Sequence, residues 1–584
     1  MKQFFKYVLA TMVGLLIMWI VAWVFGIMML GAMMAAGEAK PALKTNSVLK
    51  ISLKGTIAER AQENPLAMLS GNSVLENQGL QDMLNAIKVA QAEKDVKGIY
   101  IEGGILEADY ASLEELRTAL VNFKKSGKFV YAYADSYTQG AYYVCSAADS
   151  VMLNPSGMLD WHGVASQPMF YKDLLEKIGV KMQVFKVGTY KSAVEPFILT
   201  QMSEANREQV KSFIDDIWTN IVKHVGTSRK LTADSLNAYA DRYTALADAN
   251  EYVKMKLVDG LVYADQMRDM LRRALGNEKV NFIAASQLAK LYDKQGSDKI
   301  AIYIAEGNIV DEATAGLSRT TEIVGAKVVK DLDELANDDN VKAVVLRINS
   351  GGGSAYASEQ MWRAIQLLKA KKPVVVSMGG LAASGGYYMS CGANYIFAEP
   401  TTLTGSIGIF GMVPDVSGLL TEKLGLHFDV VKTNASADFG AMGRSLNEAE
   451  GAALQAHVDR GYKLFLSRVA SGRNMTSEAV DGIAQGRVWT GQQALGLKLV
   501  DKLGTLDDAI AKAAELAKVK DYGVKACPAP TNFLTQFMED QQEGYMERKL
   551  RDVMGVYYEP VTFLRQTQHS GYMQARILFN PNLR

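Results

Sequence analysis

The stretch Lys372-Pro373-Val374-Val375-Val376-Ser377-Met378-Gly379-Gly380-Leu381-Ala382-Ala383-Ser384-Gly385-Gly386-Tyr387-Tyr388-Met389 puts a hydroxyl where a nucleophile is useful. A β-branched run after a proline reads as a buried strand; the pair Gly379-Gly380 breaks it, and the small residues beyond suit a tightly packed helix start. Ser384 then falls at a strand-to-helix transition. Its hydroxyl can face a cleft into which backbone N–H groups of the helix start also point, the arrangement that a nucleophile with an oxyanion hole requires. Close packing alone would equally account for Ala-Ser-Gly-Gly. Two further loops belong with it. Asn349-Ser350-Gly351-Gly352-Gly353-Ser354 follows an apolar run, and its glycines let backbone approach a ligand and offer N–H groups, without the lysine and spacing of a Walker A phosphate loop. Thr404-Gly405-Ser406-Ile407-Gly408 adds an orienting hydroxyl. The remaining need is a base. Val184-Phe185-Lys186-Val187-Gly188-Thr189-Tyr190-Lys191-Ser192-Ala193 sets Lys191 past an apolar run and a tight glycine turn, among apolar and small neighbours. A lysine kept from water has its charged form disfavoured and becomes a general base near neutral pH. A solvated surface lysine is the competing reading, and these residues leave both open.

Composition excludes several classes. With 63 basic and 63 acidic side chains the formal charge is zero, so nothing supports an electrostatic nucleic-acid partner. Cys145, Cys391 and Cys527 form no ligand spacing and leave one thiol over in any pairing, so packing is their expected role rather than a disulfide scaffold or a zinc site. The five histidines fall in no metal-ligand pattern, and no metal or cofactor is expected. A chain of 584 residues exceeds one ordinary core, so two or more domains are expected. Residues 8–36 are apolar and uncharged, longer than the roughly 20 residues a bilayer needs and than the roughly 7 to 15 of a signal-peptide apolar region. They read as a transmembrane anchor. Lys2 and Lys6 before it are matched by Lys40 and Lys44 after it, so charge barely orients it; the bulk of the chain is expected outside the cytoplasm.

The elements that must position these loops come in two copies. The segment at 298–312 repeats the pattern of 46–60, an alternating strand, a glycine and then Ile, and further on the register settles at 245 residues. Val341-Lys342-Ala343-Val344-Val345 answers Val96-Lys97-Gly98-Ile99-Tyr100; Tyr387-Tyr388, Pro400 and Gly408 answer Tyr142-Tyr143, Pro155 and Gly163. In the second copy, strands are expected at 300–305, 341–348, 374–378, 395–398 and 430–432. Helices are expected near 326–337, at 358–370, from 384 and at 449–471. That alternation predicts a parallel-rich α/β unit of β-α-β crossovers, with ligands outside the carboxyl ends of the strands. The division expected is an anchor and linker at 1–42, a first repeat at 43–295 that supplies the lysine, a second at 296–525 that supplies the serine, and an extension at 526–584 with one amphipathic helix at 544–554.

Four motifs occur in order: Val187-Gly188-Thr189-Tyr190-Lys191-Ser192-Ala193-Val194-Glu195-Pro196-Phe197, Ala383-Ser384-Gly385-Gly386-Tyr387-Tyr388, Leu403-Thr404-Gly405-Ser406-Ile407-Gly408 and Gly486-Arg487-Val488-Trp489-Thr490-Gly491. Together they resemble the long, tandem-repeat form of bacterial signal peptide peptidase A, a family of membrane-anchored Ser-Lys peptidases with Clp-protease/crotonase-like repeats. The resemblance runs from the anchor to about Lys520. It implies Ser384 as nucleophile, Lys191 as general base, Ser406 as the hydroxyl that orients the lysine, and Gly352 and Gly385 as oxyanion donors. It also implies released signal peptides or other apolar, unfolded peptides as substrates, a homo-oligomer such as a tetramer, and an inner-membrane protein whose catalytic part is extracytoplasmic. The family usually carries proline where this chain has Gly351, which loosens the loop. A crotonase-like enzyme acting on acyl thioesters and a non-catalytic membrane scaffold are the alternatives. The Tyr-Lys-Ser-Ala motif speaks against the first and the complete dyad against the second.

Overall fold

The computed structural model describes residues 2–38, 43–61, 77–292, 294, 296–313, 321–529 and 573–577. The expected helix at 544–554 lies outside them. The N-terminal helix Lys2–Glu38 is the one helix among the described residues long and apolar enough to cross a membrane, over Leu9–Gly26.

The repeat is visible as a repeated strand order. In the first copy, Ser47–Ala58, Val96–Glu107, Phe129–Tyr137, Ser150–Leu159 and Gly260–Leu261 lie side by side, all parallel, with Asn281–Ala284 also paired to Ser47–Ala58. In the second, Lys299–Glu306, Val341–Ser350, Val374–Ala383, Tyr395–Ala398 and Lys502–Leu503 follow the same order, and Gly523–Cys527 takes the place of Asn281–Ala284. The central strands are apolar on both faces because helices cover both, the pattern of a parallel sheet. Helices Gly325–Asn337, Ala355–Lys369 and Glu448–Arg473 form where the apolar periodicity placed them. Cys145 and Cys391 are buried in the two cores.

Two expectations need correction. Gly379-Gly380 does not end its strand, which continues to Ala383. A Cβ on Gly379 would lie 2.6 Å from Glu59 Oε1 and one on Gly380 2.2 Å from Asp109 Cγ, so the glycines admit carboxylates of the first copy against the second copy's sheet. Residues 430–432 form no strand, because a strand needs a partner and this exposed segment meets none among the described residues.

A third sheet is shared between the copies. Its order is Glu322–Val324, Asn308–Val310, Gly352–Ser354, Gln574–Arg576, Phe410–Asp415 and Lys181–Lys186. The last strand belongs to the first copy and runs antiparallel to Phe410–Asp415, from Lys181 opposite Asp415 to Lys186 opposite Phe410. An arm of the first copy is thereby laid along the second.

Candidate active site

Lys191 arrives at the end of that arm. Val187 N–H still bonds Ile409 O, and Gly188 then turns the chain at φ +100°, against the backbone of Gln485, where a Cβ would sit 2.4 Å from Gln485 O. Tyr190 N–H donates to Gln485 O at 2.8 Å. The lysine that follows is 1% exposed. Burial lowers its pKa from the ordinary lysine value to about 7. Half of the lysine's deprotonation is therefore reached near neutral pH without any neighbouring base.

Ser384 caps the short helix Gly385–Ser390 at φ +55° and ψ −112°, a conformation that a non-glycine residue holds only when its surroundings impose it. The imposition is visible: Ser384 N–H donates to Gly405 O, and Tyr388 N–H closes the first helical turn on Ser384 O. Gly385 and Gly386 are small because the 349–354 loop and the helix Ala355–Lys369 pack on them; a Cβ on each would meet Ser358 Oγ at 2.7 Å and Ser350 O at 2.6 Å, respectively. Ser406, also at positive φ, is held by its N–H to Arg487 O.

These elements converge on one amine. Lys191 Nζ lies 2.8 Å from Ser384 Oγ, 3.0 Å from Ser406 Oγ and 3.1 Å from Ser406 O. In the neutral amine, two N–H groups can donate to the two Ser406 oxygens. The lone pair is then left for the Ser384 hydroxyl proton, the disposition required of a general base. Ser384, Lys191 and Ser406 are thus brought together as expected, and Gly385 stands beside them.

Gly352 is different. Its N–H donates to Ser350 Oγ at 3.1 Å. Strand Gln574–Arg576 runs antiparallel to Gly352–Ser354 with Ala575 opposite Gly353. Ile577 N–H bonds Gly351 O at 2.7 Å and Ala355 N–H bonds Met573 O at 3.3 Å. Hydrogen-bonded pairs recur at every second residue of an antiparallel ladder, which makes Gly353–Ala575 the bonded pair between those two. In that register Gly353 N–H is directed at Ala575 O, beside the Gly352 position. Gly352 matters as a glycine: it sits at φ +93°, and its Cβ would lie 2.0 Å from Ala575 O.

Sequence reasoning missed two positioning residues. Gln209, fully buried, donates to Tyr190 O and Ser192 Oγ on either side of the lysine and accepts from Val488 N–H. Nothing in the helix sequence around Gln209 distinguishes it from a surface glutamine. Gly486, at φ +79°, leaves room for the lysine backbone: its Cβ would be 2.6 Å from Lys191 Cα. Its signal was present in the Gly486-Arg487-Val488-Trp489-Thr490-Gly491 motif.

In the first copy, the corresponding positions are filled. Gln139, at the place of Ser384, is buried, with its amide nitrogen on Tyr110 Oη and Gly163 O and its amide oxygen on the N–H groups of His162 and Gly163. Trp161, at the place of Ser406, is buried against Tyr142 and Trp218 and donates to Leu236 O.

The model for peptidase family S49 matches residues 122–278 and 366–520, one stretch in each copy, and the model for Clp protease matches residues 317–402. Protease 4 of Salmonella typhi is 39% identical over 84% of this chain and 82% of its own length. Protease 4 of Haemophilus influenzae is 33% identical over 88% of each. The chloroplastic serine protease SPPA of Arabidopsis thaliana is 31% identical over 82% of this chain and 70% of its own.

Proposed function

The chain belongs to peptidase family S49, and from that premise we propose that Ser384 and Lys191 form its catalytic dyad, with Lys191 supplied by the first copy and Ser384 by the second. The observation that carries the proposal is the 2.8 Å approach of a buried lysine amine to the serine hydroxyl, across 193 residues of sequence. Neutral Lys191 takes the Ser384 proton as Oγ attacks the scissile carbonyl. The oxyanion is held by N–H groups of Gly385 and Gly353, a role the sequence suggested for Gly352. The protonated lysine donates to the leaving amine, and water then repeats the cycle on the ester. Removing one such donor costs on the order of 3 kcal/mol in the transition state.

The substrates are extended apolar peptides, foremost the remnants of signal peptides. The membrane helix and the cleft support this: a peptide strand fits between the edges Gly352–Ser354 and Phe410–Asp415, where backbone pairing reads extension rather than sequence. The catalytic part lies on the extracytoplasmic side of the inner membrane, where such remnants accumulate. Of the alternatives, the scaffold requires an incomplete dyad, whereas both members meet here.

The functional unit is a homo-oligomer, as a tetrameric ring. At an offset of 246, residues 427–432 of the second copy answer the arm Lys181–Lys186, yet lie exposed, Val431 at 99%. At an offset of 245, residues 165–170 of the first copy answer Phe410–Asp415 and run unpaired with alternating exposure. An arm without a dock at one end of the chain and a dock without an arm at the other describe a head-to-tail contact that closes into a ring.

The test is hydrolysis of a synthetic signal peptide by the detergent-solubilised chain. Ser384→Ala and Lys191→Ala should each abolish turnover, and the double variant should be no worse than either, because the two act as a unit. Near wild-type turnover in Lys191→Ala would place the base elsewhere.

A further inference from the structure

Residues 485–489 of the second copy touch every part of the site. Gln485 O accepts Tyr190 N–H at 2.8 Å, Gly486 packs on the lysine backbone, Arg487 O accepts Ser406 N–H at 2.7 Å, and Val488 and Trp489 pair with Gly405 and Thr404. The backbone of Arg487 thus places the hydroxyl nearest the lysine amine. Its side chain works on the lysine's other neighbour. The guanidinium carbon lies 4.6 Å from the centroid of the Tyr190 ring and 4.4 Å from that of Trp489, so one cation is shared by a ring of each copy. Trp489 is itself fixed, its Nε1–H donating to Ile483 O at 2.9 Å. Arg487 Nη2 is 2.9 Å from Glu208 Oε1, and Tyr190 Oη donates to Glu208 Oε2 at 3.3 Å. Glu208 and Gln209 are consecutive on the first copy's helix Glu204–Arg229, and Gln209 holds Tyr190 O. Tyr190 is therefore held at its N–H, its carbonyl, its ring and its hydroxyl, and the next residue is Lys191.

Stability alone does not account for this arrangement. The Glu208 side chain is 56% exposed, and an ion pair in that setting contributes little. Arg487 Nε is buried with no acceptor among the described residues, which is unfavourable. What the guanidinium secures is the position of two ring faces. We propose that Arg487 is a positioning residue for Lys191: by tying Tyr190 to Trp489 it holds the end of the first copy's arm against Ser384 and Ser406 and keeps water from the lysine. The inference rests on the Ser384–Lys191 reading. Tyr190 and Arg576 are the titratable groups that line the small cavity beside Lys191, with Ser406, Gly486 and Val488. Burial, with no neighbouring charge, is what lowers the lysine. Loosening the tie admits water and moves the amine back towards the ordinary lysine value.

Steady-state hydrolysis of a synthetic apolar peptide by the detergent-solubilised full chain, followed across the acidic limb, tests this. Arg487→Ala should lower kcat by about tenfold or more while KM changes by less than about twofold, because a displaced base loses attack geometry and not substrate contacts. Its acidic limb should move to higher pH. Arg487→Lys, which returns a cation to the two rings, should recover part of both effects. Wild-type kcat in Arg487→Ala, a loss carried by KM, a loss with the limb unmoved, or an Arg487→Lys no better than Arg487→Ala overturns the positioning role and leaves the dyad standing. Should Arg487→Ala fail to fold, Tyr190→Ala, which keeps the arginine and its ion pair, must show the same loss and the same shift; a wild-type limb there overturns the proposal. Turnover retained in Lys191→Ala overturns the dyad reading and this proposal with it.

Discussion

The fold withholds water from Lys191, and on the proposed dyad that has two measurable consequences. The acidic limb of kcat/KM should rise with pH through about 7, where burial places the lysine. A profile that falls between about pH 6 and 9 with the fold intact would contradict a lysine base. The second consequence concerns stability. Unfolding returns the amine to its ordinary pKa, so between about 7 and the unfolded value the unfolded chain binds the extra proton, and stability rises with pH across that window. Below about 7 both states are protonated and the cost of a buried charge is fully present. Lys191→Met should therefore abolish activity yet stabilise the chain near pH 6, by an amount on the order of a few kcal/mol, and flatten the rise. Thermal unfolding of the two proteins at pH 6 and 9 measures both effects. Gly486→Ala should lower kcat by displacing Lys191 while titrations show the fold retained; unchanged kcat would mean that the lysine loop can move aside. None of this was legible from the lysine's neighbours. Its burial is made by Gly408, Gln485, Gly486 and Val488, some 215 to 300 residues away in sequence, and only the motif resemblance singled it out.

At the scale of elements, the β-α-β rhythm and the repeat were legible because apolar periodicity reports a parallel core directly. What escaped was the packing and strand pairing between copies. Gly379-Gly380 reads as a strand break only if nothing has to approach it; in the fold it admits Glu59 and Asp109. Residues 430–432 read as a strand from side chains alone, but pairing is not encoded there. The contact between copies is clasped by Arg347, fully buried, with Nε 2.9 Å from both oxygens of Glu59 and Nη2 2.8 Å from Glu115 Oε2. Glu115 in turn accepts from Leu506 N–H. Burial pushes the Glu59 carboxyl up, and Arg347 pulls it back. Such a pair contributes little net stability when intact, but removing one partner strands two carboxylates and costs about 3 to 5 kcal/mol. Arg347→Ala should lower the urea midpoint by a corresponding amount and, by loosening the two copies that the arm bearing Lys191 also joins, reduce activity. A loss below about 1 kcal/mol would show that water reaches the clasp.

For the whole molecule, the proposed division of labour between copies would give each chain one site. The first copy keeps the lysine and has Gln139 and Trp161 packed where the second keeps Ser384 and Ser406. At the offset of 246, Lys191 corresponds to Ala437, which is exposed and has no amine to offer. Gln139→Ser should therefore restore nothing. The unpaired arm at 427–432 predicts that the wild type runs as an oligomer in size-exclusion chromatography with light scattering and that Phe428→Asp with Val431→Asp releases single chains; an unchanged mass would refute the head-to-tail contact. The central claim, a composite site with its base from one copy and its nucleophile from the other, is tested most directly by titration with a radiolabelled serine-directed inhibitor followed by peptide mapping. It predicts one equivalent per chain, on Ser384, and none on Lys191→Met. A second equivalent on the first copy, or undiminished labelling of Ser384 in Lys191→Met, would contradict it.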